Sequence, residues 1–228
     1  NQSLSMVSRR AILGGVGTLV VGGLLAGGAT GLVPGVSGIM GTNRPRDLGV
    51  RYSQADYERG LEKIPGHSVT NPEFMCFTCA YESRGQVPVD ATFTQEEFTA
   101  QVNTLNAEKG PVSDAQVRFN ADGTVETSAS IADSLFNGPV YAKGRIAETS
   151  ARSVRLDVEA AEVGRIGVDE ARKDEVTNLA NRFIADFFRR NPGLSVEEID
   201  VGSTGVQFKG TFPETMVGDP DVEPQSLR

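Results

Sequence analysis

Tryptophan is absent from this sequence, histidine occurs once and cysteine occurs twice. A site that binds a metal through several histidines, or a ligand in an aromatic box with tryptophan, therefore has little material in this chain. The histidine, His67, has no nucleophile and acid arranged with it along the chain, so nothing supports a catalytic triad. We expect His67 to be a loop residue in contact with solvent, and the chain to be a non-enzyme without metal or cofactor.

The chain is acidic, with a net charge of -8 at pH 7. Arg9 and Arg10 precede a long apolar stretch, so the part that follows is more acidic still. Such a surface repels phosphates and anionic lipid headgroups, which argues against nucleic-acid binding. Neighbouring acids such as Glu96 and Glu97 point in different directions on a helix and are expected on solvated faces rather than in a catalytic pair.

Residues 11–33 carry no charge. A helix of that length extends roughly 34 Å at about 1.5 Å per residue, enough to cross the hydrocarbon core of a bilayer, which is about 30 Å thick. Arg9 and Arg10 on its N-terminal side favour a cytoplasmic N-terminus, residues 1–10, and a main domain outside the cytoplasm. The sequence therefore predicts a single-pass cell-membrane protein with a periplasmic or cell-surface domain.

Ser8, Arg9 and Arg10 also resemble a twin-arginine export motif, with Gly14 where that motif often has lysine. Export by that route implies a domain folded before translocation. The alternative is that two arginines simply flank a membrane-spanning helix. The residues leave both interpretations open.

Glycines recur every fourth residue in the apolar stretch, at Gly23, Gly27 and Gly31. They share one helix face, where a second helix can approach closely. If the segment is retained as a signal anchor, this face predicts a partner in an integral membrane protein complex. The alternative is cleavage among the small residues 26–29. Residues 34–52, which begin with Pro34 and several glycines, are expected to form a flexible juxtamembrane linker.

The domain that follows, residues 53–213, alternates between helical and strand periodicity. Ser53 and Thr94 are predicted helix N-caps, the second opening a helix over 95–109. Alternating apolar residues predict a hairpin around Asn120, two further strands near residues 140–146 and 154–158, and a closing hairpin over 196–212. Residues 214–228, rich in proline and acids, are expected to form an extended tail.

The longest predicted element is an amphipathic helix over 169–190, which carries Phe183, Phe187 and Phe188 on its apolar stripe. These rings either cover the sheet as core or form the floor of an apolar ligand groove. Together, the elements predict an α+β fold in which an antiparallel sheet of about six strands packs with the long helix, after an N-terminal transmembrane helix.

Five stretches of the domain look like a group of bacterial single-span proteins with an uncharacterised extracytoplasmic α+β domain. These stretches are 94–106, 117–131, 164–168, 191–194 and 208–213. More remotely, the pattern is similar to tubular lipid-binding domains, in which a long helix lies along a curved sheet. The resemblance implies a lipid as a candidate ligand and supplies no catalytic residues.

The function expected from these features is that of a non-catalytic accessory or scaffolding subunit of a membrane protein complex. One alternative is a module that binds lipid or another apolar ligand. A third is a thiol-disulfide redox protein that uses Cys76 and Cys79.

Cys76 and Cys79 form a CxxC pair. A four-sulfur metal site would need a second pair, and covalent haem attachment would need a histidine where Ala80 stands. In an oxidising compartment the pair is expected to form a local disulfide, with thiol-disulfide chemistry, or an intermolecular or metal-binding role, as alternatives.

Thiol labelling of the native protein followed by intact-mass measurement tests this pairing. We expect no labelled thiol before reduction and two afterwards. Two reactive thiols in the native protein would contradict the disulfide.

Overall fold

The computed structural model describes residues 44–71, 79, 81–107, 110–132, 137–164 and 166–219. This part of the chain folds into three helices and eleven strands. The helices are α1 (Gln54–Glu62), α2 (Gln95–Asn106) and α3 (Glu170–Arg190). The strands are β1 (Ser68–Thr70), β2 (Tyr81–Arg84), β3 (Val87–Phe93), β4 (Val112–Phe119), β5 (Thr124–Ala132), β6 (Asn137–Ser150), β7 (Ser153–Val163), β8 (Ile166–Gly167), β9 (Ser195–Gly202), β10 (Gly205–Phe212) and β11 (Thr215–Gly218).

The predicted α+β class is confirmed, but the single sheet of about six strands is wrong. The strands form a five-stranded sheet in the order β4-β5-β6-β7-β8 and two three-stranded sheets, β3-β10-β9 and β1-β11-β2. Every pairing is antiparallel except that of β1 with β11. The closing hairpin of β9 and β10 lies outside the five-stranded sheet because the second neighbour of β10 is β3.

Side-chain caps start the helices where the sequence predicts. At α2, Thr94 Oγ1 accepts a hydrogen bond from Glu97 N at 3.3 Å, and Glu97 Oε2 accepts one from Thr94 N at 3.0 Å. This reciprocal pair satisfies two backbone donors of the first turn. Asp169 caps α3 in a similar way, by accepting from Arg172 N at 3.0 Å. The second predicted helix ends earlier than expected, at Asn106.

Glu97 differs from its expected solvated position, because its side chain is only 2% exposed. Lys63 Nζ lies 2.6 Å from Glu97 Oε2 and donates a second hydrogen bond to Thr92 O at 2.7 Å. A buried carboxylate needs such a partner, since an unpaired charge in the interior is strongly destabilising. The ion pair fastens the end of α1 to the start of α2.

Helix α2 covers the free edge of β4, the first strand of the five-stranded sheet. Asn103 accepts from Ala115 N and donates to Ala115 O, both at 2.9 Å, and Thr99 Oγ1 accepts from Val117 N at 3.0 Å. Thr99 and Asn103 are four residues apart on the helix, a rise of about 6 Å, and their partners Val117 and Ala115 are two residues apart on the strand, about 6.6 Å. The two distances match, so both side chains can reach the backbone of β4. The helix therefore replaces a neighbouring strand for these backbone groups.

Helix α3 does the same for β7 at the other side of the sheet. Asn181 Oδ1 accepts from Leu156 N at 2.8 Å, and its Nδ2 donates to Leu156 O at 3.0 Å. Strand β8 pairs only with Glu162 and Val163, so this stretch of β7 has no strand neighbour on that side among the described residues. Covering an edge in this way also prevents another chain from pairing with it.

Arg152, in the turn between β6 and β7, holds the C-terminal end of α3. Its guanidinium donates to the carbonyls of Phe188 at 2.7 Å, Asn191 at 3.1 Å and Pro192 at 2.8 Å, and also to that of Leu194. The last carbonyls of a helix lack partners within the helix and carry partial negative charge, so a cation stabilises them.

The sequence pattern does not predict several of the short strands. Strand β3 contains Pro88, which removes a backbone donor and normally marks an edge strand. It is indeed an edge strand, paired only with β10 among the described residues. Strand β11 occupies residues expected to belong to the tail. It lies between β1 and β2, and both of these strands are distant from it in sequence.

Substituting Asn181 with alanine tests the edge cover. The change leaves Leu156 N and O without partners, so we expect the free energy of unfolding to fall by about 1–3 kcal/mol. The matched control is Asn178→Ala on the same helix, whose side chain is exposed and should change stability by no more than about 0.5 kcal/mol. Urea unfolding measures both, and equal effects of the two changes would refute the edge role of Asn181.

Candidate functional site

One row of side chains crosses the outer face of the five-stranded sheet, opposite the core. Register places Gln116 of β4 beside Ser128 of β5, Ser128 beside Tyr141 of β6, and Tyr141 beside Glu162 of β7. Directly opposed residues of paired strands point to the same face. This row forms a platform of polar and aromatic groups on a surface that would otherwise meet solvent.

Residues 44–52, which we name the attachment segment, lie across this platform. Gln116 Oε1 accepts hydrogen bonds from Leu48 N at 2.9 Å and Val50 N at 3.2 Å. Arg118 Nη1 donates to Leu48 O at 3.4 Å. The backbone of the segment is thus held by side chains that project from the face of the sheet.

Side chains fasten the same segment at the β7 end of the row. Arg46 Nη2 lies 2.6 Å from Glu162 Oε1, and its guanidinium stacks 4.0 Å from the centre of the Tyr141 ring. Leu48 and Val50 are 5% and 3% exposed and pack with Tyr141 in a small apolar cluster. Burial raises the pKa of the Tyr141 hydroxyl, so the ring stays neutral beneath the arginine.

A tight turn shapes the middle of the attachment segment. Gly49 has a φ of +79°, a conformation that glycine adopts without strain, and its N–H donates to Asp47 Oδ1 at 2.8 Å. Arg51 closes the turn with two hydrogen bonds to the Asp47 carboxylate, of 2.7 Å and 2.9 Å. The hydrogen bonds from Arg51 and from Gly49 N hold the pKa of Asp47 well below its usual range.

Residues 44–52 therefore differ from the expected flexible linker. Glycine and proline in residues 34–38 suggested a free chain up to residue 52, but Leu48 and Val50 bury their side chains on the sheet. The prediction missed this because the alternating Leu48 and Val50 are too few to show a strand pattern. Their partner, Gln116, carries no signal in the sequence.

The predicted cysteine site is described only at Cys79. Cys79 is 2% exposed, and its carbonyl accepts a hydrogen bond from Arg190 Nη1 at 3.3 Å. This contact places the residue beside the C-terminal end of α3, where Arg190 also stacks over the ring of Tyr81 at 5.3 Å. No free cysteine occurs in the described part of the chain. Cys76 lies outside it, so the Cys76–Cys79 disulfide stays a prediction.

The phenylalanine stripe of α3 faces the main hydrophobic core. Phe187 and Phe188 are 4% and 2% exposed, and Phe183 packs against the same core while partly exposed. These positions fit the core interpretation of the stripe, in which the rings cover the sheet.

The remaining predicted site residues, Ser8, Arg9, Arg10 and the glycines Gly23, Gly27 and Gly31, lie outside the described residues. Between residues 44 and 219, the described helices include none that is long and apolar enough to cross a membrane. Nor does this part of the chain group three or more metal-ligating side chains.

His67 is not the solvent-contacting loop residue that the sequence suggested, because it is only 8% exposed. Its Nδ1–H donates to Pro213 O, and its ring meets Phe212 edge to face with centres 5.7 Å apart. Burial lowers the pKa of His67 from 6.5 to about 4, since the charged form loses its hydration. The tertiary contact with the end of β10 could not be read from the residues around His67.

Comparison of the chain with known protein families, curated proteins and solved structures gives no match. The resemblances to single-span bacterial proteins and to tubular lipid-binding domains therefore stay hypotheses.

The buried His67 predicts a specific loss of stability in acid. Below pH 6.5 the unfolded chain binds a proton on this residue, and the folded chain does not until about pH 4. Stability should therefore fall by about 3 kcal/mol between pH 7 and pH 4 from this group alone, in addition to losses from carboxylates. His67→Gln has no titrating group at this position, so it should not show this loss of stability, and it serves as the comparison. Urea unfolding at a series of pH values measures the difference, and parallel curves for the two proteins would contradict it.

Proposed function

We propose that this chain is a membrane-anchored accessory subunit, whose domain outside the cytoplasm is presented in a fixed orientation to a membrane protein complex. The observation that carries the proposal is the attachment of residues 44–52 to the sheet. The chain that leads to the apolar N-terminal stretch is bound at Gln116, Tyr141 and Glu162 rather than hanging free.

A flexible linker would be sufficient if the domain only had to stay near the bilayer. A bound segment shortens the free connection to residues 34–43, and the chain then leaves the domain at one defined point near Arg44. Fixing this point in advance lowers the entropy lost when the domain docks on a neighbour in the same membrane. The bound segment is therefore better suited to docking than to simple tethering.

The distance available to the domain is also limited. Only the residues between Val33 and Arg44 separate the end of the apolar stretch from the bound segment. Even fully extended at about 3.6 Å per residue, they span no more than roughly 40 Å. The domain thus stays within reach of the outer parts of membrane-embedded partners.

Acidic surface supports a protein partner more than a lipid one. The net charge of -8 disfavours contact with anionic headgroups, and the phenylalanines of α3 lie in the core rather than in a groove. The glycine face at Gly23, Gly27 and Gly31 supplies the matching contact within the membrane in this proposal.

Gentle solubilisation followed by native mass measurement of the complete chain tests the proposal. We expect the chain to leave the membrane in a larger assembly. Gln116→Ala removes two hydrogen bonds to the attachment segment, worth about 1–3 kcal/mol together, and should lower the association constant of the assembly by up to roughly 5- to 150-fold while the domain stays folded.

Gln54→Ala is the matched control, because Gln54 is exposed on α1 and bonds only to Glu58 at 3.3 Å among the described residues. Limited proteolysis within residues 44–52 should become faster in Gln116→Ala and remain unchanged in Gln54→Ala. A wild-type chain that is a lone monomer under all gentle conditions would overturn the proposed function.

A further inference from the structure

Two strand edges face each other across a cleft at one end of the domain. The cleft has a volume of about 360 Å³, and β6 residues 145–149 line one wall while β9 residues 199–201 line the other. Its volume lies within the range of roughly 300–1,000 Å³ that is usual for ligand sites.

Both walls carry backbone that no described strand pairs with. Strand β5 pairs with β6 only as far as Arg145, so β6 continues beyond it with β7 on one side and the cleft on the other. Strand β9 is the last strand of its sheet, paired with β10 alone. Unpaired backbone N–H and C=O groups in such positions are templates for an added strand.

The two strands begin as neighbours and then separate. Val196 N donates to Ala151 O at 3.0 Å, where β9 meets the turn after β6. From this contact the strands run in opposite directions, and the cleft lies between residues 145–149 and 199–201, with Asp122 and Gly123 of the turn between β4 and β5 also lining it.

Each strand has an irregular register at the point of separation. The pairing of β6 with β7 shifts between Ile146 and Glu148, and the pairing of β9 with β10 shifts between Lys209 and Gly210, opposite Glu197. Such bulges bend a strand and redirect its side chains, and they are common beside functional sites.

The charge around the cleft selects among extended segments. Three carboxylates line it, Asp122, Glu148 and Asp200, together with one guanidinium, Arg145. Arg145 is paired with Glu159, Asp122 lies 3.7 Å from Lys143 and Glu148 lies 3.2 Å from Arg155, so among the described residues only Asp200 of these carboxylates has no cationic partner. On the same face of β9, Glu198 is exposed and also has no cationic partner in the described part of the chain, whereas Glu197 lies 3.5 Å from Lys209. A segment with lysine or arginine at alternate positions would meet complementary charge.

We propose that this cleft accepts an extended basic segment of a partner protein as an additional strand between β6 and β9. The added strand would hydrogen-bond to backbone groups on either side and join the five-stranded sheet to the sheet of β9. Strand addition of this kind takes its affinity from main-chain hydrogen bonds and its specificity from alternate side chains. The inference rests on the proposed docking function and names the chemistry of the partner.

Hydrogen exchange of the complete chain, measured by mass spectrometry with short blocked peptides, tests the inference. The probes are a six-residue peptide of alternating lysine and valine, its glutamate-valine counterpart, and a lysine-proline peptide of equal charge. We expect the lysine-valine peptide alone to slow exchange at residues 146–149 and 199–201 by several-fold, with weaker protection at higher salt. Proline removes the backbone donors that the added strand needs.

Ala147→Trp places a large ring in the cleft and should weaken binding of the lysine-valine peptide at least tenfold. Ala185→Trp is the matched control, since Ala185 is exposed on α3 and should leave binding unchanged. If Ala147→Trp fails to fold, Asp200→Lys replaces it. This change should weaken binding of the lysine-valine peptide and strengthen binding of the glutamate-valine peptide.

Three results would overturn the inference: no protection at millimolar peptide, protection only elsewhere in the domain, or equal protection by the lysine-proline peptide. Failure here is distinct from failure of the proposed function. If the chain assembles in the membrane but the peptide gives no protection, only the cleft inference is refuted. If the peptide protects the cleft but the chain forms no assembly, only the accessory role is refuted.

Discussion

The five-stranded sheet depends on how β4 and the stretch of β7 that β8 does not pair with are covered, because each would otherwise expose a row of backbone groups. Asn103 of α2 bonds to both backbone groups of Ala115, and Asn181 of α3 bonds to both of Leu156. This arrangement sets the position of α2, and the ion pair of Lys63 with Glu97 then positions α1. The path of the attachment segment follows, since it must run from the outer face of the sheet to the start of α1.

Strand β6 connects the two regions on which the functional proposals rest. Tyr141 lies beneath the attachment segment, and Arg145, four residues further along the same strand, lines the cleft. The two positions are about 13 Å apart on one rigid element. A partner strand bound in the cleft would therefore be held in a defined relation to the attachment segment.

Local signals in the sequence were reliable where they act over a few residues. The N-cap at Thr94, the hairpin around Asn120 and the long helix ending at Arg190 all occur as predicted. The sequence does not predict strand β3, although Val87 and Val89 alternate. Pro88 argues against a central strand, and nothing in the sequence shows that β3 lies at the edge of its sheet. His67 was placed in solvent because nothing near it in sequence indicates Pro213 as a partner.

The sequence by itself determined the α+β class, the starts of the helices and the acidic character of the domain, since caps and periodicity act within a turn or two of backbone. Tertiary structure decided which edges are covered, where β11 pairs and how residues 44–52 are bound. The contacts responsible join residues far apart along the chain: 25 positions for Asn181 and Leu156, 68 for Leu48 and Gln116, and 116 for Arg46 and Glu162. A single glutamine or asparagine carries no periodic pattern, so its partner becomes apparent only when the strands have brought the two together.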